Sequence, residues 1–226
     1  MDITLICDPI IGFEGSNRPA IFLAEDLADS HNVSVLSPFI CESTEKALLA
    51  KGVTPINLRL KFFTKKFGPS VLWLEAWMRE AFLKLNSRSL KNKSTIVINF
   101  SNVVSIPSKI WYLQGPPSKA LEDMEKEFSY ILKFFYRALQ PFVRYADERL
   151  IEYMSKCSSM IIANSKFCAS VYSLFGVHVD DVVYPPIDLR VFQPSTSNPS
   201  SDYILTYLGK ETRYSVLKKL AGTGVK

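Results

Sequence analysis

The run Ile3-Thr4-Leu5-Ile6-Cys7, the turn Gly12-Phe13-Glu14-Gly15-Ser16-Asn17, the segment Pro19 to Leu27 and the run Val33-Ser34-Val35-Leu36 follow one another at the start of the chain. The first and last are short apolar runs of strand length. Between them, Ile21, Ala24, Leu27 and Ala28 recur at helical spacing and share one face. Strand, glycine turn, helix and strand form the unit from which parallel sheets are built.

The same alternation continues outward. Glu45 to Lys51 reads as a helix ended by Gly52, Val53 to Leu60 as a third strand, and Val71 to Leu85 as an amphipathic helix. Thr95 to Phe100 and Lys109 to Leu113 supply a fourth and a fifth strand. From Ser118, which suits an N-cap, a long helical region runs to about Ser155, and Pro141 is expected to kink or split it. Met160 to Ala163 is a sixth strand, Asn164-Ser165 caps the next helix, Gly176 ends it, and Asp181 to Tyr184 is a seventh strand stopped by Pro185-Pro186. The strands are continuously apolar, as strands buried on both faces are. The expected fold class is therefore α/β: a doubly wound, Rossmann-like, mostly parallel sheet of about seven strands, with ligands at the carboxyl ends of the strands.

After Phe192 the composition changes. Residues 193–201 carry no charge and almost no apolar side chain, and read as a linker. Beyond it, Tyr203 to Leu208 reads as a strand, Gly209 as a turn, and Arg213 to Ala221 as a helix. A strand and helix without a return strand suggest the first unit of a second α/β domain, so the expected organisation is a domain over 1–192, a linker over 193–201, and a truncated domain over 202–226.

Composition excludes several classes. With 226 residues, 47% of them hydrophobic and 22% charged, the chain has the makings of a large core and is not a disordered tail. Cys7, Cys41, Cys157 and Cys168 lie far apart without a C-x-x-C pair, and the two histidines lack ligand spacing, so neither a zinc cluster nor a disulfide framework is expected. That usage suggests a reducing, cytoplasmic location. The N-terminus lacks the basic region of a secretory signal, and no apolar run is long enough to cross a bilayer. The net charge of +5 comes from residues 61–120, which set ten basic side chains against two acidic ones.

Within that basic quarter, Lys61-Phe62-Phe63-Thr64-Lys65-Lys66-Phe67 runs into the helix bearing Trp73 and Trp77. Lysine and tryptophan together suit an anionic membrane surface, while core packing of the tryptophan pair is an equal alternative. This makes Lys61, Lys65, Lys66, Trp73 and Trp77 candidates for membrane contact. A nucleic-acid partner is disfavoured by the alternating α/β pattern. The aromatic helix residues Phe128, Tyr130, Phe134, Phe135, Tyr136, Phe142 and Tyr145 are expected mostly in the core. The Gly12 to Gly15 turn lies where backbone N–H groups at a helix N-terminus hold a phosphate. It is not G-x-G-x-x-G, and no acid closes the second strand, which argues against a dinucleotide dehydrogenase. Gln114-Gly115-Pro116-Pro117 ends the fifth strand at the same sheet edge.

Ala163-Asn164-Ser165-Lys166-Phe167, Phe175-Gly176-Val177, and Val183-Tyr184-Pro185-Pro186-Ile187-Asp188 with Phe192 resemble, in order and spacing, the end of the N-terminal domain of retaining family-4 (group 1) glycosyltransferases of the GT-B fold. The resemblance covers the whole chain and is strongest over 160–192. It implies the acceptor-binding half of an enzyme that moves a sugar from a nucleotide-sugar donor to a carbohydrate or lipid-linked acceptor. It also implies retained configuration, no metal and no cofactor besides the donor substrate. The diphosphate would be met by helix N-termini and basic side chains, in keeping with the absence of a D-x-D motif from the sequence. Carried over, Gly15, with Ser16 beside it, would approach the donor diphosphate, and Lys210 would stand at the family's basic residue after the glycine. Gln114, with Gly115, falls where many members have a histidine near the sugar. Such a half is expected to be inactive alone. The rival expectation is a non-enzymatic ligand-binding half that pairs with a separate donor-binding subunit.

Overall fold

The computed structural model describes residues 1–12, 15–84, 96–189, 192–193 and 214–224. The described chain falls into two compact units, one of Met1–Pro116 with Tyr145–Pro186, the other of Pro117–Arg144 with Ile187–Lys226.

The first unit is a seven-stranded, all-parallel sheet. Its strands are β1 (Asp2–Ile6), β2 (Asn32–Ser37), β3 (Thr54–Asn57), β4 (Ile96–Asn99), β5 (Ser108–Leu113), β6 (Ser158–Ala163) and β7 (Asp181–Val182). They lie in the order β3-β2-β1-β4-β5-β6-β7. The helices between them are α1 (Arg18–Ala28), α2 (Glu42–Ala50), α3 (Pro69–Leu83), the C-terminal part of α5 (Tyr130–Cys157) and α6 (Lys166–Ser173). This is the doubly wound α/β architecture expected from the alternation. In β1 every residue after Asp2 is buried, which a sheet covered on both faces requires.

One core cluster joins Ile3 and Leu5 of β1, and Cys7 just after it, to Ala20, Ile21 and Ala24 of α1 and to Val33 and Val35 of β2. The predicted helical face of α1 is thus the face that packs. A second cluster sets Trp111 and Leu113 of β5 and Ile161 of β6 against Ile151 and Met154 of α5 and Tyr172 of α6. Trp111 meets Tyr172 edge to face, with ring centroids 5.7 Å apart. Ser165 caps α6 as expected, its hydroxyl accepting the Cys168 N–H at 3.1 Å.

The second unit holds α4 (Pro117–Glu125), the first half of α5 and α7 (Tyr214–Ala221). Two expectations are corrected there. The long helical region breaks after Glu125 and resumes at Tyr130, whereas Pro141 sits inside α5. Turn bonds from Glu127 N–H to the Met124 carbonyl and from Phe128 N–H to the Glu125 carbonyl close α4, and the Ser129 carbonyl accepts the Lys133 N–H to start α5. Pro141 is exposed, so the one backbone bond it withholds is lost at solvent and not in the core. The aromatics of α5 are the second correction. Tyr130, Phe134, Phe135, Phe142 and Tyr145 are all exposed, and only Phe128 and Tyr136 are half-buried, packed edge to face.

The linker expected over 193–201, Gln193 apart, and the strand expected over 203–208 lie outside the described residues. The last helix is present as α7.

Candidate functional site

Strand order reverses direction between β1 and β4, and the register there sets Ile6 opposite Asn99. Two residues past each strand end, Asp8 and Ser101 therefore stand side by side at the topological switch point, where open α/β sheets bind ligands.

Asp8 is buried, and its carboxylate collects donors from two directions. Ser101 Oγ donates to Oδ1 at 2.6 Å and Asn102 N to the same oxygen at 3.0 Å, while Trp73 Nε1 of α3 donates to Oδ2 at 2.8 Å. Burial pushes the Asp8 pKa up, against the opposing pull of Ser101, Trp73 and the backbone of Asn102 and Val103. A carboxylate enclosed in this way organises loops and does not meet substrate. Asn102 extends the network, its Nδ2 donating to the Gly115 carbonyl at 3.1 Å, and Asn99 Nδ2 donates to the Val104 carbonyl at 2.8 Å.

The glycine turn lies at the same edge. Gly15 opens a single 3-10 turn, Gly15–Asn17, that leads into α1. Its φ of +63° suits glycine, and a Cβ there would meet nothing within 4 Å, so its backbone faces open space. Ser16 is exposed. Asn17, at the N-cap of α1, makes no side-chain cap and instead donates through Nδ2 to the Pro9 carbonyl at 3.3 Å. The first turn of α1 thus keeps its backbone N–H groups free of a side-chain cap, at the positive end of the helix dipole.

Gln114 and Gly115 end β5. Gln114 Nε2 donates to the Phe100 carbonyl at 2.7 Å, a brace between the β5 and β4 ends that occupies its amide nitrogen. Gly115 has φ +117° and open space where a Cβ would stand. Gly12, Gly15 and Gly115 all have open space where a Cβ would stand, although the Gly115 carbonyl is held by Asn102. Lys210 lies outside the described residues.

The basic segment is placed differently from its expectation. Trp77 is 1% exposed and sits in the interior with Leu72 and Ala76, so it cannot meet a surface. Trp73 is half-buried and spends its indole N–H on Asp8. The lysines Lys61, Lys65 and Lys66 are exposed, with the Lys65 ammonium 4.1 Å from the Phe39 ring centroid. Glu75 of α3 fastens this segment, accepting from Thr64 Oγ1 at 2.6 Å, Thr64 N at 2.8 Å and Phe63 N at 3.1 Å. Burial alone would raise the Glu75 pKa, but those donors and Arg79 hold it below the usual value.

Among the described residues no group of three or more His, Cys, Asp or Glu is placed to hold a metal ion, and all four cysteines are free thiols. The sequence reading passed over Asp8, whose partners lie far along the chain. A carboxylate just after the first strand of a doubly wound sheet was the signal available.

No family model matches the chain, and no curated protein matches it. Among solved structures, it is similar to Anabaena HepE. With HepE in complex with UDP-glucose it shares 12% identity over 98% of this chain and 50% of that one, at a TM-score of 0.50. With HepE in complex with UDP the values are 13%, 98%, 50% and 0.48. The chain spans about half the length of these neighbours. At such identity the likeness concerns the fold, and it agrees with the doubly wound sheet described above.

Proposed function

We propose that this chain is the N-terminal, acceptor-binding part of a nucleotide-sugar-dependent glycosyltransferase of the GT-B type. The observation that carries the reading is the carboxyl edge at the switch point. There Gly15, with open space where a Cβ would stand, leads into an α1 N-terminus without a side-chain cap, on the same sheet edge as Gly115, in a chain whose residues 160–192 resemble group 1 glycosyltransferases. Backbone N–H groups at a helix N-terminus favour the charge that grows on a departing diphosphate, and they need no metal ion to do so. The proposed enzyme retains anomeric configuration and takes a carbohydrate or lipid-linked acceptor. It needs a second, donor-binding half, to which Lys210 and the residues after it would lead.

UDP-glucose is the probe of choice, because it is the nucleotide sugar bound by HepE. The longest translated product of the gene should consume UDP-glucose or another nucleotide sugar. Gly15→Val should abolish turnover while leaving the far-ultraviolet circular dichroism unchanged. Failure of every nucleotide sugar to be consumed, or to raise the melting temperature, sinks the proposal. Binding without consumption would favour the non-enzymatic half instead.

A further inference from the structure

In a parallel sheet all strands end at one edge, so the chain that follows β3 emerges beside the exits of β2 and β1. The three exits are laced together. Leu58 and Leu60 donate their N–H groups to the Ser37 and Pro38 carbonyls at 3.1 and 3.0 Å. Ile10 N–H donates to the Phe39 carbonyl at 2.7 Å, and the Ile10 carbonyl accepts the Cys41 N–H at 2.9 Å. They form a ledge that runs from the start of the glycine turn out to the end of β3, about 10 Å away at the spacing of neighbouring strands.

The outer end of this ledge is basic. From Lys46 to Leu74 the chain holds no acid, and Arg59, Lys61, Lys65 and Lys66 are all exposed. The two acids that flank the stretch are occupied: Glu45 accepts from Asn57 Nδ2, and Glu75 accepts from Thr64 and from the Phe63 N–H. Among the described residues, none of the four cations has a carboxylate partner.

A merely solvated charge run needs no scaffold, and this one is held at several points. Besides the Glu75 clamp, Arg79 donates to the Lys61 carbonyl at 2.5 Å, with its guanidinium 4.8 Å from the Phe62 ring centroid. The Lys65 ammonium, 4.1 Å from the Phe39 ring centroid, brings its charge across to the exit of β2. Arg59 has φ +50°, a left-handed conformation that glycine or asparagine adopts at less cost, and Asn57 Oδ1 fixes it by accepting the Arg59 N–H at 3.0 Å. A long cationic side chain kept at a strained position is a sign of use. Guanidinium meets phosphate oxygens in pairs, and lysine adds compact positive charge.

We propose that Arg59, Lys61, Lys65 and Lys66 bind a phosphate or diphosphate group carried by the acceptor. This rests on the transferase reading, which sets the acceptor on this half of the enzyme, and it narrows the acceptor class to phosphorylated sugars and phosphate-linked lipids. The donor diphosphate belongs to the Gly15 turn, at the other end of the ledge.

The test titrates the full chain with glucose 6-phosphate and with glucose by calorimetry, and co-sediments it with phosphatidylcholine vesicles with and without phosphatidic acid. Binding is expected to at least one phosphate probe, and to neither glucose nor plain vesicles. Binding of the soluble ester makes the acceptor a sugar phosphate; binding confined to phosphatidic acid makes it lipid-linked. Lys61→Gln, Lys65→Gln and Lys66→Gln together should weaken binding about tenfold or more. Arg59→Gly, which relieves the positive φ, should weaken it about threefold or more without lowering the melting temperature. Failure of both phosphate probes to bind overturns the proposal, as does binding that the lysine and Arg59 variants leave intact. UDP-glucose separates the two readings. A chain that binds phosphate through these residues but no nucleotide sugar keeps the phosphate site and fails the transferase reading, and one that binds UDP-glucose but neither phosphate probe does the reverse.

Discussion

The Asp8 and Trp73 pair offers a quantitative test of the switch-point network. In Asp8→Asn, one carboxylate oxygen becomes an NH2 group. If Nδ2 faces Trp73, two donors confront each other, and if it faces Ser101 and Asn102, the Asn102 N–H loses its acceptor. Either orientation leaves one enclosed N–H unpaired, at a cost of about 1–3 kcal/mol. Trp73→Phe removes the indole donor and should cost about 2 kcal/mol. In the double variant the benzyl ring no longer opposes the amide introduced in place of the carboxylate, so the shared bond is not lost twice. With Nδ2 facing Trp73, the double variant should then be less destabilised than the sum of the singles by about 1–2 kcal/mol. Urea unfolding followed by far-ultraviolet circular dichroism measures all three, against a stability of about 5–15 kcal/mol for a domain. Additivity within about 0.5 kcal/mol would place Nδ2 towards Ser101 and Asn102, whereas a cost below about 0.5 kcal/mol for Trp73→Phe alone would refute the direct bond between Asp8 and Trp73.

Two further predictions concern titration and reactivity. The folded-state pKa of Glu75 lies below its ordinary value of 4.5, so its contribution to stability is present above that value and is lost as pH falls through the lowered one. Glu75→Gln should therefore be less stable than the wild type at neutral pH and approach it in acid, as urea midpoints across that range would show; a gap that stays constant with pH contradicts the bonding described. Cys41 is half-exposed, and although burial would raise its pKa, the hydroxyls and N–H groups of Ser43 and Thr44 lower it. Buried Cys7 and Cys168 are both raised, Cys168 to about 11. Iodoacetamide followed by peptide mass spectrometry should find Cys41 alkylated well before those two, and early labelling of Cys7 would argue against the packing of β1.

Most of the sheet was legible because its signals are local. Apolar runs gave β1, β2, β4, β5 and β6 within a residue or two, and Ser165 gave the start of α6. The direction in which an apolar face points is not local. In Val71 to Leu85 the helical spacing was read correctly, yet which tryptophan turns inward depends on the sheet beneath it. In α5 the aromatic spacing was equally clear, and the assumption that large apolar residues go inside failed. The Asp8 cluster was hidden for the same reason, since Trp73, Ser101 and Asn102 reach it only once the strands are in order. At the glycine turn the spacing marks a turn between β1 and α1, while the positive φ of Gly15 and the open space beside it belong to the three-dimensional structure alone.

The central place of β1 has a consequence for how the chain is made. It is made before the other strands of this sheet, and its neighbours arrive unequally: β2 begins at Asn32, but the partner on its other edge, β4, begins only at Ile96. Until then the wing β3-β2-β1 carries an apolar, unpaired edge along Ile3 to Ile6, a template for pairing with other nascent chains. Contacts so distant in sequence close slowly. Aggregation during synthesis should therefore be governed by how quickly the chain between Asn57 and Ile96 is translated and folded back, and a chaperone that shields the β1 edge in that interval would raise the yield of native protein.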